Sequence, residues 1–132
     1  MSEPIWIKKA TILAAHAEAL AEHGGLEGIR DEGLLESALA RPKNVFTYGG
    51  VNDFHKLAAF YAIGIAQNHP FIDGNKRAAF IVMALFLAAN GLRLTAYQVD
   101  ATKTFLQVAA GKLNEDELTA WIQRNTSLRR KP

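Results

Sequence analysis

Nine consecutive residues, His69-Pro-Phe-Ile-Asp-Gly-Asn-Lys-Arg77, hold most of the chemistry this chain can do. They follow an amphipathic segment and lead directly into the most apolar stretch of the sequence, so they read as a loop feeding a helix N-terminus. Gly74 permits a positive φ at the turn. The first N–H groups of the helix have no intrahelical acceptor and point outward with the helix dipole behind them, which suits an anion. Lys76 and Arg77 add two cations at a helix end whose dipole opposes them, and an anionic partner would resolve that mismatch. Asp73 is a carboxylate suited to a Mg²⁺ held jointly with phosphate oxygens, and His69 is a base matched to neutral pH. Phosphate grip, metal ligand and general base on one loop point to phosphoryl or nucleotidyl transfer. Each residue has a plainer use: Asp73 as a helix cap, Lys76 and Arg77 as surface residues, His69 as a structural histidine. Phe71 reads as a core anchor for the loop.

The elements that must position this loop show helical periodicity. Residues 8–23 carry Ile12, Leu13, Ala17 and Leu20, ending at Gly24-Gly25. Asp31 is an N-cap for a helix carrying Leu34, Leu35, Ala38 and Leu39 that is expected to stop before Pro42. Phe54, Leu57, Ala58, Tyr61, Ala62 and Ile65 mark one face of a third helix. Residues 75–89 are apolar almost all round, so that helix is expected at the centre, closed by Asn90-Gly91. A fifth helix covers residues 98–110, with Ala101, Phe105 and Val108 inward and Gly111 as its stop. The last begins at Asn114 with Glu117 at N3, a capping box, and Leu113 and Leu118 form the staple around it. No strand of confident length is legible. The best extended stretch, Asn44 to Gly50, is a short hairpin at most. The expectation is an all-α fold of about six helices around the 75–89 helix.

Composition sets the frame. The 132 residues fit one domain, and 49% apolar with 21% charged argues against disorder. With no cysteine, disulfides, thiolate metal sites and cysteine nucleophiles are excluded, and a reducing, cytoplasmic setting is expected. No signal-peptide h-region is seen near the N-terminus. The longest apolar run, Ala78 to Ala89, is too short to span a bilayer, so no membrane role is expected. Arg129, Arg130 and Lys131 account for the net charge: without them +2 becomes −1. Residues 126–132 are therefore read as a basic, frayed tail, and no direct nucleic-acid binding is expected.

The loop resembles the signature of the Fic/Doc family, His-x-Phe-x-(Asp/Glu/Asn)-(Gly/Ala)-Asn-(Gly/Lys)-Arg, at every specified position: His69, Phe71, Asp73, Gly74, Asn75, Lys76 and Arg77. Gly28 to Pro42 also looks like the upstream part of Doc (death-on-curing) proteins, so the resemblance covers most of the chain. It implies a compact all-α bundle. AMP-transferring Fic enzymes usually have Gly where this chain has Lys76, and a further Arg where it has Phe80. Both departures point to the Doc branch, which acts as a protein kinase with ATP bound in the reversed sense.

By resemblance, His69 takes the acceptor's proton, Asp73 holds Mg²⁺ or orients the acceptor, Gly74 and Asn75 bind phosphate, and Lys76 and Arg77 stabilise charge on ATP. Val45, Phe46, Thr47 and Tyr48 fall where the family places a target-docking flap, whose hairpin edge pairs with the target backbone. The implied role is a toxin of a type II toxin–antitoxin system. It would phosphorylate a threonine of elongation factor Tu and block translation. No Ser or Thr has Glu four residues on, so the family's internal inhibitory glutamate motif is absent. The implied brake is a Phd-type antitoxin with a disordered C-terminal segment. Two other readings stay open: AMP or nucleotidyl transfer to a protein hydroxyl, and a non-catalytic helical interaction module.

Overall fold

In the computed structural model, which describes residues 3–129, six helices and one small sheet surround a core built on two adjacent helices. The order is α1 (Lys9–His23), α2 (Glu32–Gly49), α3 (Phe54–Asn68), α4 (Asn75–Ala89), β1 (Leu92–Leu94), α5 (Gln98–Ala109), α6 (Glu115–Arg124) and β2 (Thr126–Leu128). The all-α expectation holds, and so do the helix bounds apart from the end of the second helix. No helix among the described residues is long and apolar enough to cross a membrane.

The centre is shared between α3 and α4. Nine of the fifteen α3 residues are buried against six of the fifteen in α4, so α3 is the more enclosed of the pair. It packs on α2, α4, α5 and α6. Small residues make this possible. A Cβ on Gly64 would stand 3.4 Å from the Cα and Cβ of Ala38, so α2 lies directly on the α3 backbone. Aromatic rings fill the wider gaps. Phe86 of α4 meets Trp6, Phe54 and Tyr61, and Phe105 of α5 lies edge-on between Phe80 and Trp121. Burying side chains of this size stabilises by roughly 1.5–3 kcal/mol each. The capping box expected at α6 is complete: the Asn114 carboxamide accepts from Glu117 N–H at 2.8 Å and the Glu117 carboxylate accepts from Asn114 N–H at 3.1 Å.

Two expectations are corrected. First, α2 does not stop before Pro42 but runs through it to Gly49, with Gly50 as a left-handed cap. A proline inside a helix costs on the order of 3 kcal/mol. Tertiary contacts outweigh that here. Pro42 is itself buried, Val45 and Phe46 pack on the core, the Phe46 ring meets Trp6 edge-on at 5.6 Å, and the Arg41 guanidinium lies 5.1 Å over the Phe60 ring. The expected hairpin at 44–51 is therefore helix for nearly its whole length. Val45 and Phe46 face inward, while Thr47 and Tyr48 are exposed on the last turn. Their N–H groups are committed to the helix, and the segment offers no strand edge for a target to pair with.

Second, the tail read as frayed from residue 126 is ordered through Arg129. β2 pairs antiparallel with β1 in the register Leu92↔Leu128, Arg93↔Ser127 and Leu94↔Thr126. Arg129 extends the tie, its N–H donating to Gly91 C=O at 2.9 Å and its guanidinium to Ala88 C=O at 3.1 Å. Strands of three residues leave no periodic signal in a sequence. The rest of the tail, residues 130–132, lies outside the described residues.

Candidate active site

The nine-residue loop joins the C-terminus of α3 to the N-terminus of α4, so two helix ends of opposite polarity face one another across it. His69 closes α3 in the left-handed conformation, with φ 49°. It is the only non-glycine residue with positive φ among those described. For such a residue this conformation costs roughly 1–2 kcal/mol. Gly74, at φ 77°, opens α4.

One side chain expected to touch a ligand also braces the loop. The Asn75 carboxamide bonds twice to the Phe71 backbone, accepting from its N–H and donating to its C=O, both at 2.9 Å. The Asn75 side chain shapes the turn, and its backbone N–H has no acceptor among the described residues. Phe71 anchors the loop as expected. It is 1% exposed and stacks on the His16 ring with centroids 3.8 Å apart.

Three contributions come from outside the motif. Buried His16 of α1 donates from Nε2 to Asp73 C=O at 2.7 Å. Residues 28–31 run antiparallel to 70–72: Ile29 bridges Phe71, Ile72 N–H donates to Gly28 C=O, and the N–H groups of Arg30 and Asp31 both donate to Pro70 C=O. The Arg30 side chain completes the strap, with Nε donating to His69 C=O at 2.7 Å and Nη2 to Asn68 C=O at 2.9 Å. A cation thus caps the negative end of α3 where its last carbonyls lack helical partners. Sequence reasoning missed Arg30 and His16. Arg30 lies 39 residues from His69, too far for spacing to link them. His16 could have been found, because it shares the buried stripe of Ile12, Ala19 and Leu20, whereas Ala17, expected on that face, is exposed.

These supports leave a cavity of about 380 Å³ lined by His69, Asp73, Gly74, Asn75, Lys76, Arg77 and neighbouring apolar residues. His69, Lys76 and Arg77 are exposed to it, so the structure does bring the expected base and cations together. The N–H groups of Asn75, Lys76 and Arg77 have no acceptor among the described residues. Neither Lys76 nor Arg77 is paired with a carboxylate among the described residues. Asp73 is held by backbone donors: Oδ1 accepts from Gly74 N–H at 3.0 Å and Oδ2 from Leu26 N–H at 3.2 Å. Gly25 lies tightly against it, since a Cβ there would come within 3.1 Å of Oδ2. Asp73 is the one carboxylate lining the cavity, and no cluster of three or more metal-ligating side chains exists among the described residues. That donor set fits a Mg²⁺ shared with phosphate oxygens and water rather than one caged by protein. Val45 to Tyr48, by contrast, do not line this cavity.

The model of the Fic/DOC family matches residues 6–87, which contain the loop, its strap, α1 to α3 and all but the last two residues of α4. Among curated proteins, the chain is 32% identical over 88 residues to "Protein kinase doc" of Escherichia phage P1, covering 67% of this chain and 70% of that protein. It is 37% identical over 102 residues to "Toxin Doc" of Mycolicibacterium smegmatis, covering 74% of this chain and 77% of that one.

Proposed function

The chain belongs to the Fic/Doc family, and from that premise we propose that it is a Doc-type toxin with protein kinase activity. It transfers the γ-phosphate of ATP to a Ser or Thr hydroxyl. The observation that carries this reading is the pairing of exposed His69 with three unpaired N–H groups, Lys76 and Arg77 around one cavity. The names of the two relatives agree with it.

In this mechanism the N–H groups of Asn75, Lys76 and Arg77 receive the γ-phosphoryl oxygens, and the two cations offset the charge that builds up in transfer. The imidazole of His69 accepts the proton of the acceptor hydroxyl. A bond forms from that oxygen to the γ-phosphorus, the bond to the β,γ-bridging oxygen breaks, and ADP leaves. Asp73, fixed by the Gly74 and Leu26 N–H groups, is the residue that would hold Mg²⁺. When bound, the metal neutralises phosphate charge.

The proposed target is a threonine of a translation factor of the elongation factor Tu class, so that phosphorylation blocks translation. Without a strand edge at 44–51, the target would dock on side chains such as exposed Thr47 and Tyr48. The proposed regulator is a Phd-type antitoxin whose disordered C-terminal segment folds on binding. The test incubates purified chain and target with ATP labelled separately at the α- and γ-phosphates. Label passing to the target from γ alone is expected. Label from α would replace this reading with AMP transfer, and none from either would leave a non-catalytic module.

A further inference from the structure

Ile72 lies between the buried anchor Phe71 and Asp73, yet it is 50% exposed and lines the cavity of His69. A single exposed isoleucine is ordinary on a protein surface. This one is held in place beside the base. Its N–H donates to Gly28 C=O at 3.1 Å. Its side chain lies over Gly28 so closely that a Cβ there would come within 3.0 Å of Ile72 Cδ1. Gly28 has φ 116°, a conformation that glycine adopts freely, so the strap provides both the turn and the bare backbone that seat the side chain. Leu26, two residues before Gly28, is 69% exposed, and its N–H is the one bonded to Asp73. Apolar surface is thus kept in water on the strap side of the site by residues whose backbones are tied to the loop.

We propose that Ile72 is a specificity-determining residue: it receives an apolar side chain next to the acceptor Ser or Thr of the target, so that the chain selects hydroxyls with an aliphatic or aromatic neighbour. The cavity has two kinds of wall. Lys76, Arg77 and the N–H groups at the start of α4 form one, which suits the phosphate. Ile72, Ala66 and Ala109 form the other, which carries no charge and no polar side chain. In phosphoryl transfer His69 must reach the acceptor hydroxyl while that oxygen faces the phosphorus, so the acceptor segment enters along the wall the phosphate leaves free. Its neighbouring side chain then meets Ile72. A charged or amide neighbour would give up water to an apolar surface that offers it no partner, whereas an apolar one covers the exposed half of Ile72. Because Gly28 already seats Ile72, little rotamer freedom is lost on contact. The inference rests on the phosphoryl-transfer reading and names its substrate class, and the contact itself is tested by binding alone.

The experiment measures binding of two fluorescent peptides to the full chain, by anisotropy, in the presence of Mg²⁺ and the β,γ-imido analogue of ATP. Both peptides are Gly/Ser-rich around a central Thr; one has Leu on each side of the Thr and the other has Gln. Covering the exposed half of an isoleucine corresponds to roughly 5- to 10-fold in affinity, so the unaltered chain prefers the Leu peptide by that order. Ile72→Asn brings the preference within a factor of about two, and Ile72→Val, which stays apolar, keeps most of it. Both variants bind the ATP analogue within a factor of about two of the unaltered chain. An unchanged preference in folded Ile72→Asn overturns the assignment. So does the absence of a preference in the unaltered chain, whether it binds both peptides or neither. Loss of the ATP analogue together with the peptides overturns it too, since Ile72 would then serve the loop as a whole. Transfer of label from γ-labelled ATP is scored separately: its absence alongside the expected binding pattern removes the kinase reading and leaves the contact.

Discussion

Arg30→Ala removes a side chain that touches no ligand in the proposed reaction, and it should still slow phosphoryl transfer. Arg30 donates to the carbonyls of Asn68 and His69 at 2.9 and 2.7 Å. Hydrogen bonds from a charged donor contribute about 1.5–3 kcal/mol each. Arg30 is exposed, so the lower part of that range applies and the pair is worth about 2–3 kcal/mol. Against this stands the roughly 1–2 kcal/mol that left-handed His69 costs. Without the guanidinium the backbone at His69 is free to relax toward ordinary helical or extended values, and the imidazole swings with it. At about 1.4 kcal/mol per tenfold, kcat should fall between about 10- and 100-fold. KM for ATP should move little, because the phosphate grip sits on α4, which Arg30 does not touch. Arg30→Lys, able to reach one carbonyl, should recover part of the rate. The assay is steady-state transfer from γ-labelled ATP, with backbone chemical shifts of His69 reporting whether the left-handed conformation persists. A kcat within twofold of the unaltered enzyme, or a loss confined to KM, would refute the positioning role.

Four further outcomes are expected. His69→Ala should lower transfer by roughly 10²–10⁴-fold with little change in the urea midpoint, the base being exposed; near-normal transfer would remove it from the mechanism. Asp73→Asn should raise the Mg²⁺ concentration needed for half-maximal transfer, and activity unchanged in excess EDTA would end the metal role. Lys76→Glu should abolish transfer yet make the ligand-free protein more stable by about 0.3–1 kcal/mol in denaturant titrations, since an acid suits a helix N-terminus. Burial raises the Tyr61 hydroxyl above its ordinary pKa of 10.0, partly opposed by the N–H of Ile7 donating to it. The fold then keeps a proton that the unfolded chain releases, so stability is full below pH 10 and falls as pH rises beyond it. Tyr61→Phe should flatten that alkaline fall in urea midpoints.

What could be read from the sequence follows from the range of the forces involved. Helix periods, the α6 capping box and the loop from His69 to Arg77 are short-range features, and each residue's neighbours in sequence are also its neighbours in space. Pro42 misled because a local rule disfavours proline within a helix, while the contacts that outweigh it, on Trp6 and Phe60, come from elsewhere in the chain. The β1–β2 ladder joins segments more than thirty residues apart with three residues each, and neither has a pattern of its own. At the site, residue types were legible but their assignments were not. Asn75 has the right chemistry for a phosphate, and only the position of the Phe71 backbone shows that its amide is already bonded.

The division of labour at the loop follows from where two helices end. At the end of α3 the exposed carbonyls attract a cation, and the protein supplies one of its own, Arg30. At the start of α4 the exposed N–H groups attract an anion, and those of Asn75, Lys76 and Arg77 meet none among the described residues. Its nearest carboxylate, Asp73, is turned to Leu26 and Gly74 instead, and Lys76 and Arg77 add further positive charge. One helix end is therefore neutralised from within, and the other is left for a ligand. The neutralised end fixes the backbone of the base, while the open end holds an electrostatic penalty that a phosphate relieves on binding. In the proposed reaction this arrangement places rigidity where the proton would be taken and unmet charge where the phosphoryl group would be held. It also explains why the loop is braced by the Asn75 amide and the His16 ring: without internal supports, the repulsion at the open end would favour fraying of the first turn of α4, and the site would be lost before its ligand arrived.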